Sequence, residues 1–468
     1  MEFRKFLEQL DDAGELLRVD TPMSLDYEVG ALCRKLSDAG GPAALLSRVD
    51  GHSVALATNL YGTRRRIALG LGLDESSMVA ELAQRLKRRV PVQRFTGNAP
   101  RCQQRSCIGD SIDVRTLPVP LWNIGDGGPY LTASLVIARH PEFGWNIAHH
   151  RCQVYGACEL GVAMAPEHQL RLVTDIGRSD GGRVEAAIVL GTRPSISIAA
   201  SSDFPMGDYE LEIAGALENR PIDVVRCLTV DIDVPEDAEI VIEGYFDGEV
   251  RSEGPFVEYT GYQSPVIQSP VFRITAITHR EAPIMHGIFA GKPPCETDVL
   301  WRELEEVEVL QTLRRRFPML TGVHRPPQIG RDLLVVLQVD VARAPPGMIK
   351  TLMLATNAVM TRLKIVIAVD KSVDLYDLTD VMWAVAMHCD IKEDVDVIKG
   401  TFTSWIDPAS RGLSGKLLLD ATRKAGFDGQ MPSFPPEALD KAQRLLEQHG
   451  LLSSRTPLRS GRTTKEHR

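Results

Sequence analysis

The sequence predicts an α+β multidomain protein, with an α/β domain at each end and a β-rich domain between them. Three observations carry this prediction. Over residues 1–115, amphipathic helical patterns alternate with short apolar runs. Over 116–305 short strand-like runs dominate, and over 306–450 helix and strand patterns alternate again. At 468 residues and 44% hydrophobic, the chain is long enough to bury more than one core.

In the first part, FRKFLEQL, YEVGALCRKL and SMVAELAQRLKRR read as helices, and AALLSRV and SVALATNL as strands. The two prolines of TLPVPLW, 116–122, mark an extended connection. The middle part supplies YLTASLVIARH, WNIAHHRCQVYG, EAAIVLG, SISIAAS, VVRCLTVDIDV, AEIVIEGYF, VFRITAITHR and PIMHGIFAG as strands of a barrel or sandwich. Two helical patterns, PEHQLRLVTDIG and DYELEIAGALEN, interrupt them. The third part runs from LWRELEEVEVLQTLRRRF through LLVVLQVDVA, GMIKTLMLATNAVMTRL, KIVIAVD, LTDVMWAVAMHC and VDVIKG, an order that implies βαβ units and a partly parallel sheet. Met348, Met353 and Met360 read as core or interface packing. The polar tail 451–468 is expected to be disordered.

Composition excludes several classes of function. A net charge of -9 argues against nonspecific nucleic-acid binding, and the basic clusters at 64–66, 85–89 and 314–316 read as solvated faces. No apolar run reaches the length of a membrane span, and MEFRKFLEQLDDAGELLRVD lacks the apolar core of a signal peptide, so a cytoplasmic location is expected. The eight cysteines have no zinc-like spacing and read as reduced thiols. Cys295 has no adjacent base that would make it a nucleophile.

Chemistry-bearing residues concentrate in the middle part. EGPFVE places Glu253 and Glu258 five positions apart, on opposite faces of a straight strand. Only a bend at Gly254-Pro255 lets them share a site, and spacing alone favours a surface turn. WNIAHHR offers Asn146, His149, His150 and Arg151; regular alternation sets Asn146, Ala148 and His150 against Ile147, His149 and Arg151 unless a bulge intervenes. APEHQL places His168 in a first helical turn, and a Pro/Gly-rich loop delivers Glu210 to a helix start. An amide, an imidazole and a carboxylate suit Mn²⁺ or Mg²⁺ better than zinc.

The ordered set Asn146 to Arg151, Pro166 with His168, Glu210 to Ala216, Glu253 to Glu258 and Ser414 to Lys416 resembles the UbiD family of reversible decarboxylases, over nearly the whole chain to about residue 425. The resemblance implies a central split β-barrel of flavin-reductase type that holds prenylated FMN through Mn²⁺ (or Mg²⁺) and K⁺. It also implies a C-terminal α/β domain that builds a homodimer or homohexamer. Carried over by position, Asn146, His168 and Glu210 would bind the divalent metal. Ala200, Ser201 and Asp203, with Glu210, would hold the monovalent ion. Asn146, Ile147, Ala148, His149, His150, Arg151, Glu167, His168, Ser201, Glu210 and Lys416 would bind the cofactor, and Arg151, Glu253 and Glu258 would form the catalytic network. Ala148 and His150 stand where the family often has Gly and Tyr, and the loop at Asp203 is one residue shorter.

The reaction so implied is the reversible, non-oxidative decarboxylation of an aromatic, heteroaromatic or α,β-unsaturated carboxylic acid. Its partners would be that acid, CO₂ and a flavin prenyltransferase that supplies the cofactor. Loss of CO₂ from an sp² carbon leaves a carbanion that no side chain can delocalise, which requires a cofactor as electron sink. The same carbon must then be protonated, a role that falls to Glu258, while Arg151 would hold the substrate carboxylate and Glu253. KPPCETDVLW resembles the family's pocket rim, and His150, Phe256 and Trp405 are candidates to touch an aromatic ring. Two other readings remain: a retaining glycosidase using Glu253 and Glu258, which 6% aromatic content disfavours, and a flavin-binding or assembly protein without turnover.

Overall fold

The structure, a computed structural model, describes residues 1–450 except 141, 143, 165–167, 180, 181, 411 and 433, and omits the side chains of 176–179. The expected tail and Glu167 therefore lie outside the described residues. Residues 1–422 form one compact unit and residues from 423 onward another, whose described helix is Pro436–Gln448.

The N-terminal helix Phe3–Asp12 buries Phe3, Phe6, Leu7 and Leu10, the i, i+3, i+4, i+7 face that its sequence pattern requires. A sheet runs in the order Leu16–Val19, Ala43–Leu46, Ala55–Thr58 and Ile284–Gly287. The last strand comes from far along the chain and pairs in parallel with Ala55–Thr58, so the chain returns to this sheet after building the middle part. Arg66, expected on a solvated face, is buried instead, with Nη1 donating to the Gly41 carbonyl at 2.9 Å and to Glu15 at 3.2 Å. Paired and hydrogen-bonded in this way, a guanidinium can leave water.

Among the described residues nine strands form the middle sheet, built around the long antiparallel pair Ile240–Glu253 and Ile267–His279. The pairing path begins at Tyr130–Leu131 and Cys152–Gly156 and ends at Leu135–His140 and Gly144–His149. Strands consecutive in sequence, Gly144–His149 and Cys152–Gly156, thus stand toward opposite ends of the path, joined only by His150 and Arg151. That link spans no more than roughly 11 Å, so the sheet curls until its two ends approach. Among the described residues no ladder pairing closes the ring.

SISIAAS is a helix, Pro194–Ala199, rather than the expected strand. All six residues are buried, so the Ser/Ile alternation reports no face, and Pro194 occupies the first helical turn, where its missing N–H costs nothing. The third part carries a five-stranded sheet in the order Leu320–His324, Leu334–Val339, Ile365–Asp370, Leu413–Ala421, Val395–Phe402, whose central pairings are parallel as the βαβ pattern predicts. Helix Met348–Val359 packs Met353 into this core, and Met360 is buried just beyond it.

Candidate active site

Strand Ile240–Glu253 ends on Glu253, whose side chain is fully buried. Gly254 follows at φ +96, a left-handed conformation that glycine adopts without strain, and the chain leaves the sheet there. It then pairs Phe256–Val257 with Gln263–Ser264. The bend brings both carboxylates to one guanidinium. Arg151 Nε and Nη2 donate to Glu253 Oε1 and Oε2, each at 2.8 Å, and Arg151 Nη1 donates to Glu258 Oε1. The surface turn that spacing alone favoured is excluded by this burial and pairing. Burial works against the charge of Arg151, but Glu258 and Glu253 more than offset it and hold its pKa above the ordinary value. The guanidinium also lies over the Phe256 ring, 4.9 Å from its centroid.

A second segment, unremarked in the sequence reading, fixes this bend. Gly127 N donates to the Pro255 carbonyl at 2.7 Å, Val257 N donates to Asp126 Oδ1 at 2.9 Å, and Gln153 accepts from Gly254 N at 3.0 Å while donating to the Gly127 carbonyl at 2.7 Å. A Cβ on Gly127 would sit 2.1 Å from the Gly254 carbonyl oxygen. The sequence signal was the glycine-dense NIGDGGPY, 123–130, where close backbone approach needs residues without side chains.

Asn146 and Glu210 are in contact. Glu210 Oε2 accepts from Ile147 N at 2.9 Å, and its Oε1 accepts from Asn146 Nδ2 at 3.4 Å. Burial pushes the Glu210 carboxyl up to about 8 despite these donors. Asn146 Oδ1 is buried and accepts no hydrogen bond among the described residues. A desolvated carboxylate beside an idle amide oxygen fits a hard divalent cation. His168 is tied to this pair through its neighbour Gln169, which accepts from Asn146 Nδ2 at 3.0 Å. Burial lowers the His168 pKa to about 3, which leaves the neutral imidazole that a metal ligand must be. Among the described residues no three His, Cys, Asp or Glu side chains gather to hold a metal; in the Asn146/His168/Glu210 set the third donor is an amide.

The remaining predicted ligands are less convergent. Ser201 Oγ donates within reach of the Ile198 and Leu300 carbonyls, at 2.7 and 3.1 Å, beside Ala200 at the end of its helix. The Asp203 carboxylate is exposed and faces Arg362 at 3.4 Å. Lys416 Nζ donates to the carbonyls of Thr361, Leu363 and Phe402 within the C-terminal part. Cys295 is buried against Asp298 and Thr297, and burial pushes its thiol up, the reverse of what a nucleophile needs.

Counted to its mouth, a cleft of about 790 Å³ opens beside the Glu-Arg-Glu group. Arg151, Glu258 and His168 line it together with His150, Phe256 and Trp405, the three side chains singled out for contact with an aromatic ring. His149, His150 and Arg151 all reach it although they are consecutive. Strict alternation fails because the chain leaves its strand at His149 and crosses between sheet ends: His150 N donates to the Ser134 carbonyl, and Ala163 N to that of Arg151. Thr297 and Trp301 of KPPCETDVLW line the same cleft, and so does Arg331, which the sequence reading did not single out.

Three family models match the chain, describing the N-terminal (residues 7–86), Rift-related (93–293) and C-terminal (298–429) domains of 3-octaprenyl-4-hydroxybenzoate carboxy-lyase. The chain belongs to the UbiD family. Its members are carboxy-lyases, and this UbiD-family chain is an enzyme of that class. A relative from Archaeoglobus fulgidus, described only as an uncharacterized protein, is 32% identical over 93% of this chain and 94% of its own. The UbiD-class enzyme HmfF from Pelotomaculum thermopropionicum, solved in complex with FMN, superposes with a TM-score of 0.88 at 32% identity, over 94% of this chain and 98% of that one. An evolved dimeric form of HmfF in complex with prenylated FMN gives 0.85, over the same shares and at the same identity. Vanillic acid decarboxylase from Sedimentibacter hydroxybenzoicus, in its closed form, gives 0.84 at 27% identity over 96% and 98% of the two chains. No described helix of this UbiD-family chain is long and apolar enough to cross a membrane.

Proposed function

We infer that the enzyme is a reversible, non-oxidative decarboxylase of an aromatic, heteroaromatic or α,β-unsaturated carboxylic acid, that its cofactor is prenylated FMN, and that Glu258 is the proton donor. The observation that carries this reading is the convergence of Arg151, Glu253 and Glu258 at the wall of a cleft that His168 also lines. The flavin complexes of HmfF and the aromatic acid of the vanillate enzyme support it. When bound, the prenylated flavin supplies the electron sink that an sp² carbanion requires.

The chain's own residues then have distinct tasks. Asn146 and Glu210, with His168, would hold a divalent cation, Mn²⁺ or Mg²⁺, that would help anchor the cofactor. Oxygens of Ala200, Ser201 and Glu210 would hold K⁺, and Asp203 would join them only by leaving Arg362; Lys416 would reach the cofactor only by leaving its three carbonyl partners. Arg151 uses three of its five N–H donors on the two glutamates, and two remain for a substrate carboxylate. Glu253, buried and doubly bonded, fixes the orientation of Arg151. Glu258 faces the cleft and delivers the proton to the carbon that CO₂ has left. The curled middle sheet supports a split-barrel cofactor domain. Exposed Met382, Trp383 and Met387 on helix Leu378–His388 support assembly of a homodimer or homohexamer through the C-terminal part.

The test is production with and without a flavin prenyltransferase, followed by the spectrum and mass of the bound cofactor and by CO₂ release from a panel of acids. Prenylated FMN together with CO₂ release is the expected result. Flavin bound without turnover of any acid would favour a binding or assembly role.

A further inference from the structure

Glu258 sits on a short hairpin that needs support from outside. Phe256–Val257 and Gln263–Ser264 pair over two residues each, and Glu258 N, donating to the Tyr262 carbonyl at 2.9 Å, closes the turn between them. A two-stranded hairpin of that length is marginal in water. Asp126, Gly127 and Gln153 fasten residues 254–257 at its base. The turn beyond, where Glu258 must hold its carboxyl within reach of the reacting carbon, has a different anchor.

That anchor is the next residue. Tyr259 is buried, and its hydroxyl donates to Asp332 Oδ2 at 3.2 Å. Burial and the neighbouring Asp332 charge push the phenol's pKa up, so it keeps the hydrogen that it donates. Asp332 in turn gathers three guanidiniums: Arg325 Nη1 donates to Oδ1 at 3.3 Å, and Arg331 Nε and Arg362 Nη1 stand 3.3 and 3.7 Å from Oδ2. Burial works against the Asp332 charge, but Arg331, Arg362 and Arg325 more than offset it and hold its carboxyl below the ordinary carboxylate range. The hydroxyl thus donates to an ionised acceptor, the stronger kind of hydrogen bond. Arg325 directly follows strand Leu320–His324, and Arg362 precedes strand Ile365–Asp370, so Asp332 is moored to two strand ends of the C-terminal sheet. The Arg331 guanidinium also lies over the Tyr259 ring, 4.9 Å from its centroid.

We propose that Asp332 and Tyr259 are positioning residues for proton transfer: their hydrogen bond is a strut that ties the hairpin to the C-terminal sheet and holds the Glu258 carboxyl against Arg151 at the cleft. Tyr259 and Glu258 share one peptide plane, so fixing the tyrosine ring limits how far the glutamate can swing. The strut rests on the decarboxylase reading above, in which Glu258 is the proton donor.

Tyr259→Phe tests it while keeping the ring under Arg331 and leaving Asp332 its three guanidiniums. The flavin-loaded enzyme is assayed with whichever of benzoate, 2-furoate and cinnamate the wild type turns over fastest. In Tyr259→Phe kcat should fall about tenfold or more, with KM within about threefold and flavin absorbance unchanged. Amide hydrogen exchange over residues 256–264 should rise about tenfold, the measure of a lost bond to a charged acceptor. Asp332→Ala should lower kcat at least as far; if it does not fold, Tyr259→Phe alone decides. In a Glu258→Gln background, Tyr259→Phe should change the residual kcat by less than about twofold, because the strut then has no proton donor to hold. Wild-type kcat or wild-type exchange in Tyr259→Phe would overturn the strut, as would an equal tenfold loss in the Glu258→Gln background, which would show that the tyrosine only shapes the cleft. If Glu258→Gln is slow and Tyr259→Phe is not, the proton-donor reading stands and the strut falls; if Glu258→Gln is as fast as the wild type, or no acid is turned over, both fall.

Discussion

Arg151 grips Glu253 through two parallel hydrogen bonds of 2.8 Å, in a site where the carboxylate is fully buried and the guanidinium nearly so. A planar fork matched to a carboxylate has one low-energy orientation, and here it points the remaining terminal nitrogen at Glu258. Removing Glu253 leaves the buried Arg151 cation with two donors unmet and Glu258 as its remaining carboxylate among the described residues. Glu253→Ala should therefore lower unfolding stability by about 3–5 kcal/mol, read from chemical denaturation. A wild-type midpoint would show that Arg151 does not depend on this partner.

Glu258→Gln preserves shape and hydrogen bonding but removes the transferable proton. Flavin content should match the wild type while turnover falls by at least about a hundredfold. An unchanged rate would remove Glu258 from the proton-donor role.

His168→Ala should empty the cofactor site, because the proposed metal set would then keep only Asn146 and Glu210. The readouts are metal content and flavin absorbance of the purified protein. Full flavin occupancy would refute the metal role.

Gly127 supports the EGPFVE bend without touching the cleft. In Gly127→Ala the new methyl meets the Gly254 carbonyl at 2.1 Å, and backbone on both sides must move. A displacement of about 1 Å at a reacting group can cost about a hundredfold in rate, so kcat should fall far more than KM rises. Wild-type kcat would mean that the bend is held elsewhere.

The protein should lose stability in acid partly through His149. Unfolded, this imidazole takes a proton near 6.5; folded, burial delays that to about 3. As pH falls from 6.5 toward 3 the unfolded chain binds the proton first, so stability declines across that window and is unaffected by this group above it. His149→Phe should flatten the dependence of Tm on pH between 7 and 5. Parallel curves for the two proteins would exclude the contribution.

The sequence by itself determined the element types and the chemistry at stake. The face of helix Phe3–Asp12 and the parallel strands of the C-terminal part follow from local period and residue type, which survive in one dimension, while the grouping of Asn146 with Glu210 came from the family resemblance. It misread SISIAAS because full burial erases the difference between helical and extended patterning. It misplaced Arg66 because a charge looks solvated until its partners, distant in sequence, are known. Only the tertiary structure decided that Glu253 and Glu258 share one guanidinium 102 and 107 positions earlier in the chain. It also turned His149, His150 and Arg151 into one cleft, and set Trp301 and Arg331 beside His149. The physical reason is the curl of the middle sheet: a two-residue link forces its ends together, and side chains that alternation would separate converge where the chain crosses.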